Sequence, residues 1–451
     1  MTAAATRPTI ATPITYRDPL PDAVDVVVIG GGVIGVFTAL YLARSGATVL
    51  LCEKGRIAGE QSSRNWGWIR QQGRDEGELP IMTQALGLWR EIDAELKGAT
   101  GFAQVGVNYI STTEADMASN EAWMDVAKRH DLDTRLLSKR EVSEMFGGAS
   151  DARWIGGIQT PSDAKGEPWV AVPAVARLAH KAGVLIREDC AVRTLETAAG
   201  ELTGVVTEAG AVACEQVVLA GGAWSSLFAR AHGIEMPQLA VKATVAATAP
   251  LPQFFGAAAA DEAFAIRRRA DGGYSLAASG VHGFALGPDA FRRFFPWLNE
   301  LKRGWRHIKP ALAAPEGFPD AWRTSRKWAA DEETPFERTR VLEPAPDAQL
   351  VARMTKGFGE RFPTIGAPKI ASAWAGMIDA MPDIVPIVDR VPALPGLIVA
   401  TGMSGHGFGI GPGFGRVIAR LARGETPEHD LARFRFGRFT DGSPLNPGPA
   451  L

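Results

Sequence analysis

The sequence predicts an α/β fold with a second, α+β lobe, and three observations carry this prediction. An apolar strand near the N-terminus, residues 26–29, runs into a glycine-rich turn and a helical apolar pattern. Two later apolar runs, at 216–220 and 397–400, also lead into glycine-rich segments. Between them, residues 239–278 contain alternating strands and a glycine hairpin turn. The length of 451 residues agrees, because it exceeds what one hydrophobic core usually supports.

The first strand and its turn predict a Rossmann-like βαβ unit that binds a dinucleotide. The turn has the spacing GxGxxG. A second apolar run ends in Glu53, and its distance from the turn is close to the roughly 20 residues that are typical of such units. Phosphates would meet the positive N-terminus of the helix, and Glu53 would accept hydrogen bonds from ribose hydroxyls. A glycine-rich turn in an ordinary α/β domain is the alternative. The expected contacts are Gly30, Gly32, Val33, Ile34, Gly35, Glu53 and Lys54.

The next segment, residues 59–75, has neither a helical nor a strand period. It concentrates hydroxyl, amide, guanidinium and indole groups. Such a density of hydrogen-bonding groups predicts a loop around a large polar and aromatic ligand, whereas a solvated connection is the alternative. The residues expected to contact the ligand are Ser62, Ser63, Arg64, Asn65, Gly67 and Trp68.

The rest of the chain predicts two discontinuous lobes. We expect helices at 79–96, 114–130, 138–146, 169–182 and from 415, a loop at 156–168, and strands at 216–220, 239–248, 264–268, 274–278 and 397–400. The nucleotide-binding lobe is predicted to comprise residues 23–100, 150–235 and 365–430. The substrate lobe is predicted to comprise 101–149 and 236–364, with a flexible leader at 1–22 and a tail at 431–451.

Composition and charge narrow the class of protein. Lysine and arginine number 48 against 50 acidic residues, so no net field attracts nucleic acid. The 3 cysteines lack metal-binding or CxxC spacing, and their odd number argues against a disulfide framework. These features predict a cytoplasmic protein without a bound metal. A basic, aromatic segment at 291–309 could lie on the inner membrane surface or dock a partner, although packing on its own domain is the commoner role.

The motifs together resemble the FAD-dependent D-amino acid oxidase superfamily, which contains glycine oxidase, sarcosine oxidase and D-amino acid dehydrogenases. The resemblance rests on GGGVIG with Glu53, SSRNWGWIR, LAGGAW, MPDIVPIVDR and ATGMSGHGFG, in the family's order over roughly residues 24–424. One small departure is Ala220-Gly221-Gly222, where the family usually has Ala-Ala-Gly.

This resemblance implies a Rossmann-like FAD-binding domain and a discontinuous, mainly antiparallel substrate domain. Further implied FAD contacts are Val192, Gly221, Gly222, Trp224, Gly376, Gly405, His406, Gly407, Phe408 and Gly409. Several relatives tether the flavin through a cysteine near the MPD motif. None stands between Met354 and Leu421 here, so we expect non-covalent FAD.

The resemblance also implies oxidation of an amino acid at the carbon that bears nitrogen. The imine would hydrolyse to a keto acid and an amine or ammonia, and oxygen or a quinone would reoxidise the flavin. The helix that follows Gly405-His406-Gly407 would stabilise negative charge on the flavin. His406 could add a donor there, or could simply be a loop residue bonded to backbone.

A carboxylate substrate needs a clamp, and the planar fork of arginine suits it. Arg70 is the first choice because related enzymes carry a substrate-binding arginine in the corresponding loop. Arg267, Tyr274 and Lys242, on strands of the second lobe, are weaker candidates. Two other functions stay open: a flavin-dependent 2-hydroxy acid dehydrogenase, and a non-catalytic flavin-bound subunit of a larger complex.

Overall fold

The structure is a computed structural model that describes residues 6–148, 153–304 and 308–448. The first residues of the expected leader, the last of the expected tail, and Trp305 and Arg306 of the basic segment lie outside the described residues. The predicted α/β class with a second lobe is confirmed. Each lobe is built on a large sheet.

The described residues form a six-stranded sheet, here called the nucleotide sheet. Its strands are parallel except for the edge strand Ile387–Arg390. Strands of this sheet are almost entirely buried, which agrees with their continuous apolar runs. Their carboxyl ends therefore meet at one edge, where the glycine motifs follow them. The strand order is Ile387–Arg390, Leu397–Thr401, Gln216–Leu219, Val26–Ile29, Val49–Cys52 and Leu185–Arg187.

Helices cover this sheet, and two of them, which start at Val33 and Gly407, begin at this edge. Val33–Arg44 packs against Pro168–Lys181 and Gly407–Ala422, and the latter also packs against Leu79–Glu95. A Cβ atom at Gly415 would lie 2.5 Å from Phe37 Cβ, so the two helices approach as closely as glycine permits. The helix begins at Gly407, whereas the sequence predicted a loop through 409 and a helix from 415. Burial of its glycine-rich face outweighs the low helical propensity of glycine.

The second lobe is a ten-stranded, mostly antiparallel sheet of the described residues, here called the large sheet. The predicted strands at 239–248, 264–268 and 274–278 are confirmed. The strand order is Ile308–Ala311, His282–Ala285, Leu239–Thr248, Tyr274–Ala278, Phe264–Arg268, Ala258–Ala260, Val107–Ser111, Gly156–Thr160 and Arg135–Ser138, with Ile370–Ala380 also paired to Leu239–Thr248.

Smaller elements complete the lobes. Trp68–Ile69, Ala164–Lys165 and Ala103–Gln104 form a short sheet, and Val192–Ala198, Glu201–Thr207 and Gly210–Ala213 form another. The remaining helices of more than four residues in the described segments are Glu114–Arg129, Lys139–Met145, Ser225–Ala231, Pro288–Arg292, Phe294–Gly304 and Ala348–Arg361. None of the helices within the described residues has the length and apolar composition that crossing a membrane requires.

The predicted loop at 156–168 is wrong in part. Gly156–Thr160, expected to be a loop, is a strand of the large sheet, and so is Ile370–Ala380. A Cβ at Gly157 would lie 2.5 Å from the carbonyl oxygen of Tyr109, so glycine here permits close strand pairing instead of marking a loop. The chain therefore crosses between the lobes more often than the predicted boundaries allow.

The expected flexible leader packs on the fold in its described part. The backbone N–H groups of Thr15 and Tyr16 donate to Glu188 Oε2 at 2.5 and 3.1 Å. Arg17 forms a β-bridge with Arg187, and the ring of Tyr16 is buried. Burial of this ring and pairing of the backbone fix a segment whose composition alone indicated a flexible chain.

The basic, aromatic segment exposes much of its apolar surface. No residue of the helix Phe294–Gly304 is buried, and Phe295 is 79% exposed. Trp297 Nε1 donates to the carbonyl oxygen of Pro237 at 2.8 Å and holds the helix to its own lobe. The segment therefore packs on its own domain through part of its surface only.

Candidate active site

A cavity lies where the carboxyl ends of the nucleotide sheet meet the large sheet, and the predicted motifs converge on it. The predicted residues that line it are Gly30, Gly32, Val33, Ile34, Glu53, Lys54, Ser62, Arg64, Asn65, Trp68, Arg70, Val192, Gly221, Gly222, Trp224, Gly376, Gly405, His406, Gly407 and Phe408. Segments more than 300 residues apart in the sequence thus share one site.

Glu53 defines one end of this cavity, here called the nucleotide end. Its Oε2 accepts a hydrogen bond from the Gly31 N–H at 2.7 Å, and its Oε1 accepts one from the Gly55 N–H at 2.7 Å. Burial raises the pKa of Glu53 to about 7. Each carboxylate oxygen keeps a further lone pair, so ribose hydroxyls could donate to the same group.

The glycine turn beside Glu53 has the geometry that a dinucleotide site needs. Gly30 has φ of +114°, and a Cβ there would lie 2.5 Å from the carbonyl oxygen of Ala220. The turn directs the N-terminus of helix Val33–Arg44 at the cavity, where the Val33 N–H donates to Ser62 Oγ at 2.8 Å. A phosphate group would therefore meet backbone donors and a hydroxyl at this helix end.

A second helix N-terminus faces the cavity through the loop before Gly407–Ala422. Asp379 holds this loop, because its Oδ2 accepts from the Gly402 N–H at 2.7 Å and from Thr401 Oγ1 at 3.2 Å. The Ser404 N–H also donates to the Asp379 carbonyl oxygen at 2.8 Å. Sequence reasoning did not single out Asp379, although it lies two residues before Met381, the first residue of the MPDIVPIVDR motif. Burial raises the pKa of this carboxyl.

These features fit FAD. An acid at the end of the second strand suits the adenosine ribose, and the first helix N-terminus suits the pyrophosphate. The second helix N-terminus suits the part of the flavin that gathers negative charge on reduction. Lys54 Nζ, which lies 4.3 Å from the ring centre of Trp224, is already bonded to Glu60 Oε1 at 2.7 Å and helps to shape the nucleotide end.

Four predicted contact residues, Gly35, Ser63, Gly67 and Gly409, stand behind the cavity wall. A Cβ at Gly35 would lie 2.0 Å from the Gly30 carbonyl oxygen, and one at Gly409 would lie 3.1 Å from Ile69 Cα. Ser63 is fully buried, and its Oγ donates to the Glu60 carbonyl oxygen at 3.3 Å. These residues support the wall through packing.

The structure corrects the three weaker clamp candidates. Arg267 is bound by Glu167 through two hydrogen bonds of 2.8 and 3.2 Å. Tyr274 is fully buried and its hydroxyl donates to the Phe255 carbonyl oxygen at 2.8 Å, while Lys242 Nζ donates to the Ala345 carbonyl oxygen at 3.1 Å. None of the three lines the cavity, because their strands direct these side chains elsewhere.

Arg70 does line the cavity. The part of the cavity around Arg70 is here called the polar end. Arg70 Nη1 donates to the carbonyl oxygen of Gln72, and its guanidinium lies 5.6 Å from the ring centre of Tyr109. Asp163 fixes this loop, since its carboxylate accepts from the Gln71 and Gln72 N–H groups at 2.7 and 3.2 Å. Burial raises the pKa of Asp163 to about 7.

Sequence reasoning missed two residues of the polar end, Arg74 and Glu78. Arg74 lines the cavity, and burial, together with Arg70, lowers its pKa. Glu78 is fully buried behind the wall, where burial raises its pKa, and its Oε2 lies 3.6 Å from His406 Nδ1. Burial, together with Arg74 and Arg70, lowers the pKa of His406, so the imidazole is neutral at pH 7. Arg74 is the third arginine of the loop 59–75, which was predicted to surround a ligand, and that was the signal that could have found it.

An aromatic wall adjoins these charges. Trp66 and Trp68 both line the cavity, and their ring centres are 5.4 Å apart at an angle of 79°. The ring of Tyr109 lies 6.1 Å from that of Trp68. The large sheet adds Ala243 and Val245 to the lining. The cavity thus combines apolar surface with a few charged groups, which is typical of a small-molecule site.

Comparison with known proteins gives one family. The sequence profile described as FAD dependent oxidoreductase (DAO) matches residues 25–421. The fold is similar to L-amino acid deaminase from Proteus myxofaciens in complex with anthranilate, with TM-score 0.90, 27% identity, and coverage of 97% of this chain and 98% of that chain. L-amino acid deaminase from Proteus vulgaris gives TM-score 0.88 and 28% identity, covering 94% of this chain and 99% of that chain.

Relatives of known activity differ in length. The 4-methylaminobutanoate oxidase (formaldehyde-forming) of Paenarthrobacter nicotinovorans is 24% identical over 94% of this chain and 47% of its own length, so the chain spans about half of that relative. Sarcosine oxidase subunit beta of Rhodobacter capsulatus is 24% identical over 93% of this chain and 90% of its own length. The resemblance noted from the motifs is confirmed, and the chain belongs to the DAO family of FAD dependent oxidoreductases.

Proposed function

We propose that this protein oxidises the C–N bond of an amino acid, primary or N-substituted, to an imine. The imine hydrolyses to a keto acid and an amine or ammonia. The observation that carries the proposal is the arrangement of one cavity with an FAD-type nucleotide end, a guanidinium pair at its polar end and an aromatic wall between the lobes. The relatives named as sarcosine oxidase and L-amino acid deaminase support the same class of substrate.

The roles of the chain's own groups follow from their positions. When bound, FAD supplies a two-electron acceptor for the α-hydride of the substrate. Arg70 binds the substrate carboxylate, because a planar guanidinium can donate two parallel hydrogen bonds to it. The N-terminus of helix Gly407–Ala422 stabilises negative charge there through its backbone dipoles. Burial lowers the pKa of His406, so its side chain contributes as a neutral group. The amine binds unprotonated, so no separate general base is required.

We infer that the FAD is held without a covalent bond. The cysteines that line the cavity, Cys52 and Cys190, adjoin Glu53 at the nucleotide end, away from the MPD segment where relatives are tethered. Both are buried. Oxygen or a quinone would then reoxidise the flavin.

The experiment is an anaerobic screen for bleaching of the flavin absorbance. Amino acids, N-methylated amino acids and the matching 2-hydroxy acids are added in parallel to the purified holoenzyme. Bleaching by amino acids but not by hydroxy acids supports the proposal, and the reverse pattern would assign a 2-hydroxy acid dehydrogenase. Peroxide formation on admitting air distinguishes oxygen from a quinone as acceptor.

A non-catalytic flavin-bound subunit is the second candidate, since one relative is named as a beta subunit. In that case no compound in the screen would bleach the flavin of the isolated chain. Bleaching that required a partner would separate a catalytic subunit from a purely structural one.

A further inference from the structure

Arg74 differs from the other buried arginines near the cavity. Arg267 is bound by Glu167 through two hydrogen bonds. Both Nη atoms of Arg64 donate to carbonyl oxygens, of Gly59, Leu342 and Ala375, and only its Nε lacks a partner. Arg74 is 6% exposed, and among the described residues its guanidinium donates only from Nε, to the Arg70 carbonyl oxygen at 3.2 Å. Its Nη1 is buried without a hydrogen-bond partner.

A buried guanidinium without partners is costly. A buried charged donor that is left unpaired has lost its hydration and gained no hydrogen bond in return. Two fully buried acids in the described residues lie at this end. Asp163 already accepts from the Gln71 and Gln72 N–H groups. Glu78 forms no hydrogen bond with Arg74, and both of its oxygens lack partners. Arg74 and Glu78 therefore interact electrostatically without a hydrogen bond, which leaves Nη1 of Arg74 free for another acceptor.

The position of Arg74 says what that acceptor is. Arg74 lines the same cavity as Arg70, whose Nη1 is already engaged by the Gln72 carbonyl oxygen. A carboxylate has two oxygens and about four lone-pair sites, so it can accept from two guanidinium groups at once. We propose that Arg74 is a second substrate-binding arginine, which together with Arg70 holds a single carboxylate at the polar end. This proposal rests on the proposed function and names a residue for it.

The remaining lining near the large sheet limits the rest of the ligand. Trp66, Trp68, Ala243 and Val245 offer no charge, and the acids of the described lining are already bonded: Glu53 and Asp379 by backbone N–H groups, Glu60 by Lys54 and Trp224. A positively charged group on the substrate side chain would therefore find no unengaged acid there. The preferred ligand has one carboxylate and an apolar side chain.

The test measures binding of a probe carboxylate, independently of turnover. Benzoate and its neutral analogue benzamide are titrated into the holoenzyme, and the visible absorbance of the flavin reports binding. Arg74→Gln should weaken benzoate at least tenfold while benzamide and FAD affinity stay unchanged. Arg74→Lys, which keeps the charge but not the fork, should give an intermediate loss.

Matched controls separate this effect from loss of folding. Arg90→Gln removes an exposed arginine whose Nη2 donates to Gln104 Oε1, and it should leave every affinity unchanged. If Arg74→Gln does not fold, Arg74→Lys decides: wild-type benzoate affinity in a folded Lys variant would overturn the proposal.

The outcomes also distinguish this inference from the proposed function. If wild-type enzyme binds benzoate and Arg74→Gln binds it within twofold, Arg74 is not a substrate-binding residue, and the proposed function stands. If the yellow wild-type enzyme binds no carboxylate at millimolar concentration, the site is not built for carboxylates and both proposals fail.

Discussion

The two ends of the cavity treat a buried carboxylate in opposite ways. Glu53, at the nucleotide end, receives a backbone N–H on each oxygen at 2.7 Å. Glu78, behind the polar end, is fully buried, and neither of its carboxylate oxygens accepts a hydrogen bond. Both carboxyls have raised pKa values because of burial, so the difference lies in their partners.

The two ends differ in the groups that hold their carboxylates in place. Glu53 follows a strand and lies beside a glycine turn, so the local backbone supplies its donors. Glu78 interacts with side chains instead of backbone N–H groups. Arg74 acts on it electrostatically, and His406 Nδ1 lies 3.6 Å from its Oε2. The nucleotide end is thus preorganised by backbone, whereas the polar end has unpaired groups that a ligand would complete.

The strongest test of this contrast is Arg70→Lys, because it acts on the end that needs the ligand. The variant should keep FAD but lose about 2–5 kcal/mol in transition-state binding, since a desolvated carboxylate loses a forked partner. The measurement is kcat/KM on the best substrate from the bleaching screen. Wild-type kcat/KM would make Arg70 structural and leave Arg74 as the main carboxylate partner.

At the other end, Glu53→Ala should impair the cofactor instead of the substrate. The change removes a charged hydrogen-bond acceptor, worth about 1.5–3 kcal/mol, so FAD affinity should fall about tenfold or more. Titration of the apoprotein with FAD measures it. Glu53→Gln keeps the shape of the side chain, so its FAD affinity should lie between those of the wild type and Glu53→Ala. An unchanged dissociation constant for the Ala variant would reject Glu53 as the ribose acid.

The raised pKa of Glu53 gives a smaller effect with a definite sign. Its pKa is about 7 in the folded protein against an ordinary 4.5, so the folded apoprotein retains a proton that the unfolded chain releases. The free energy of unfolding should therefore fall as pH rises from about 4.5 to about 7, by up to roughly 3 kcal/mol from this group.

Urea unfolding of apoprotein at pH 5, 6, 7 and 8 tests this slope. Glu53→Gln should flatten it in part. The remainder should come from the other buried carboxyls with raised pKa values, which include Asp163, with a pKa of about 7 against 3.8, Glu78 and Asp379. FAD should also flatten it, because ribose hydroxyls that donate to Glu53 favour its charged form. A slope identical in wild type and Glu53→Gln would assign the titration elsewhere.

The smallest expected effect concerns the mass of the denatured chain, which should carry no flavin. Heat or acid should release the flavin and leave a protein of the sequence mass, because the cavity's cysteines lie at the nucleotide end. Mass spectrometry of the denatured chain measures it. A mass raised by a flavin would show a tether that the motif comparison did not foresee.

The sequence by itself determined the nucleotide end. Strand, glycine turn, helix and acid are neighbours along the chain, and local periodicity and glycine geometry suffice to place Gly30, Ser62 and Glu53 on one cavity. The strands 239–248, 264–268 and 274–278 were likewise predictable, because alternation is a local pattern.

Only the tertiary structure decided the polar end and the limits of the lobes. Whether an arginine is free depends on what lies opposite: Glu167 engages Arg267, while nothing in the described residues accepts from Nη1 of Arg74. Gly156–Thr160 and Gly407–Ala422 became strand and helix through pairing and burial that outweigh their glycine content. The physical reason is the same in each case, since long-range partners, which no local pattern encodes, supply the deciding free energy.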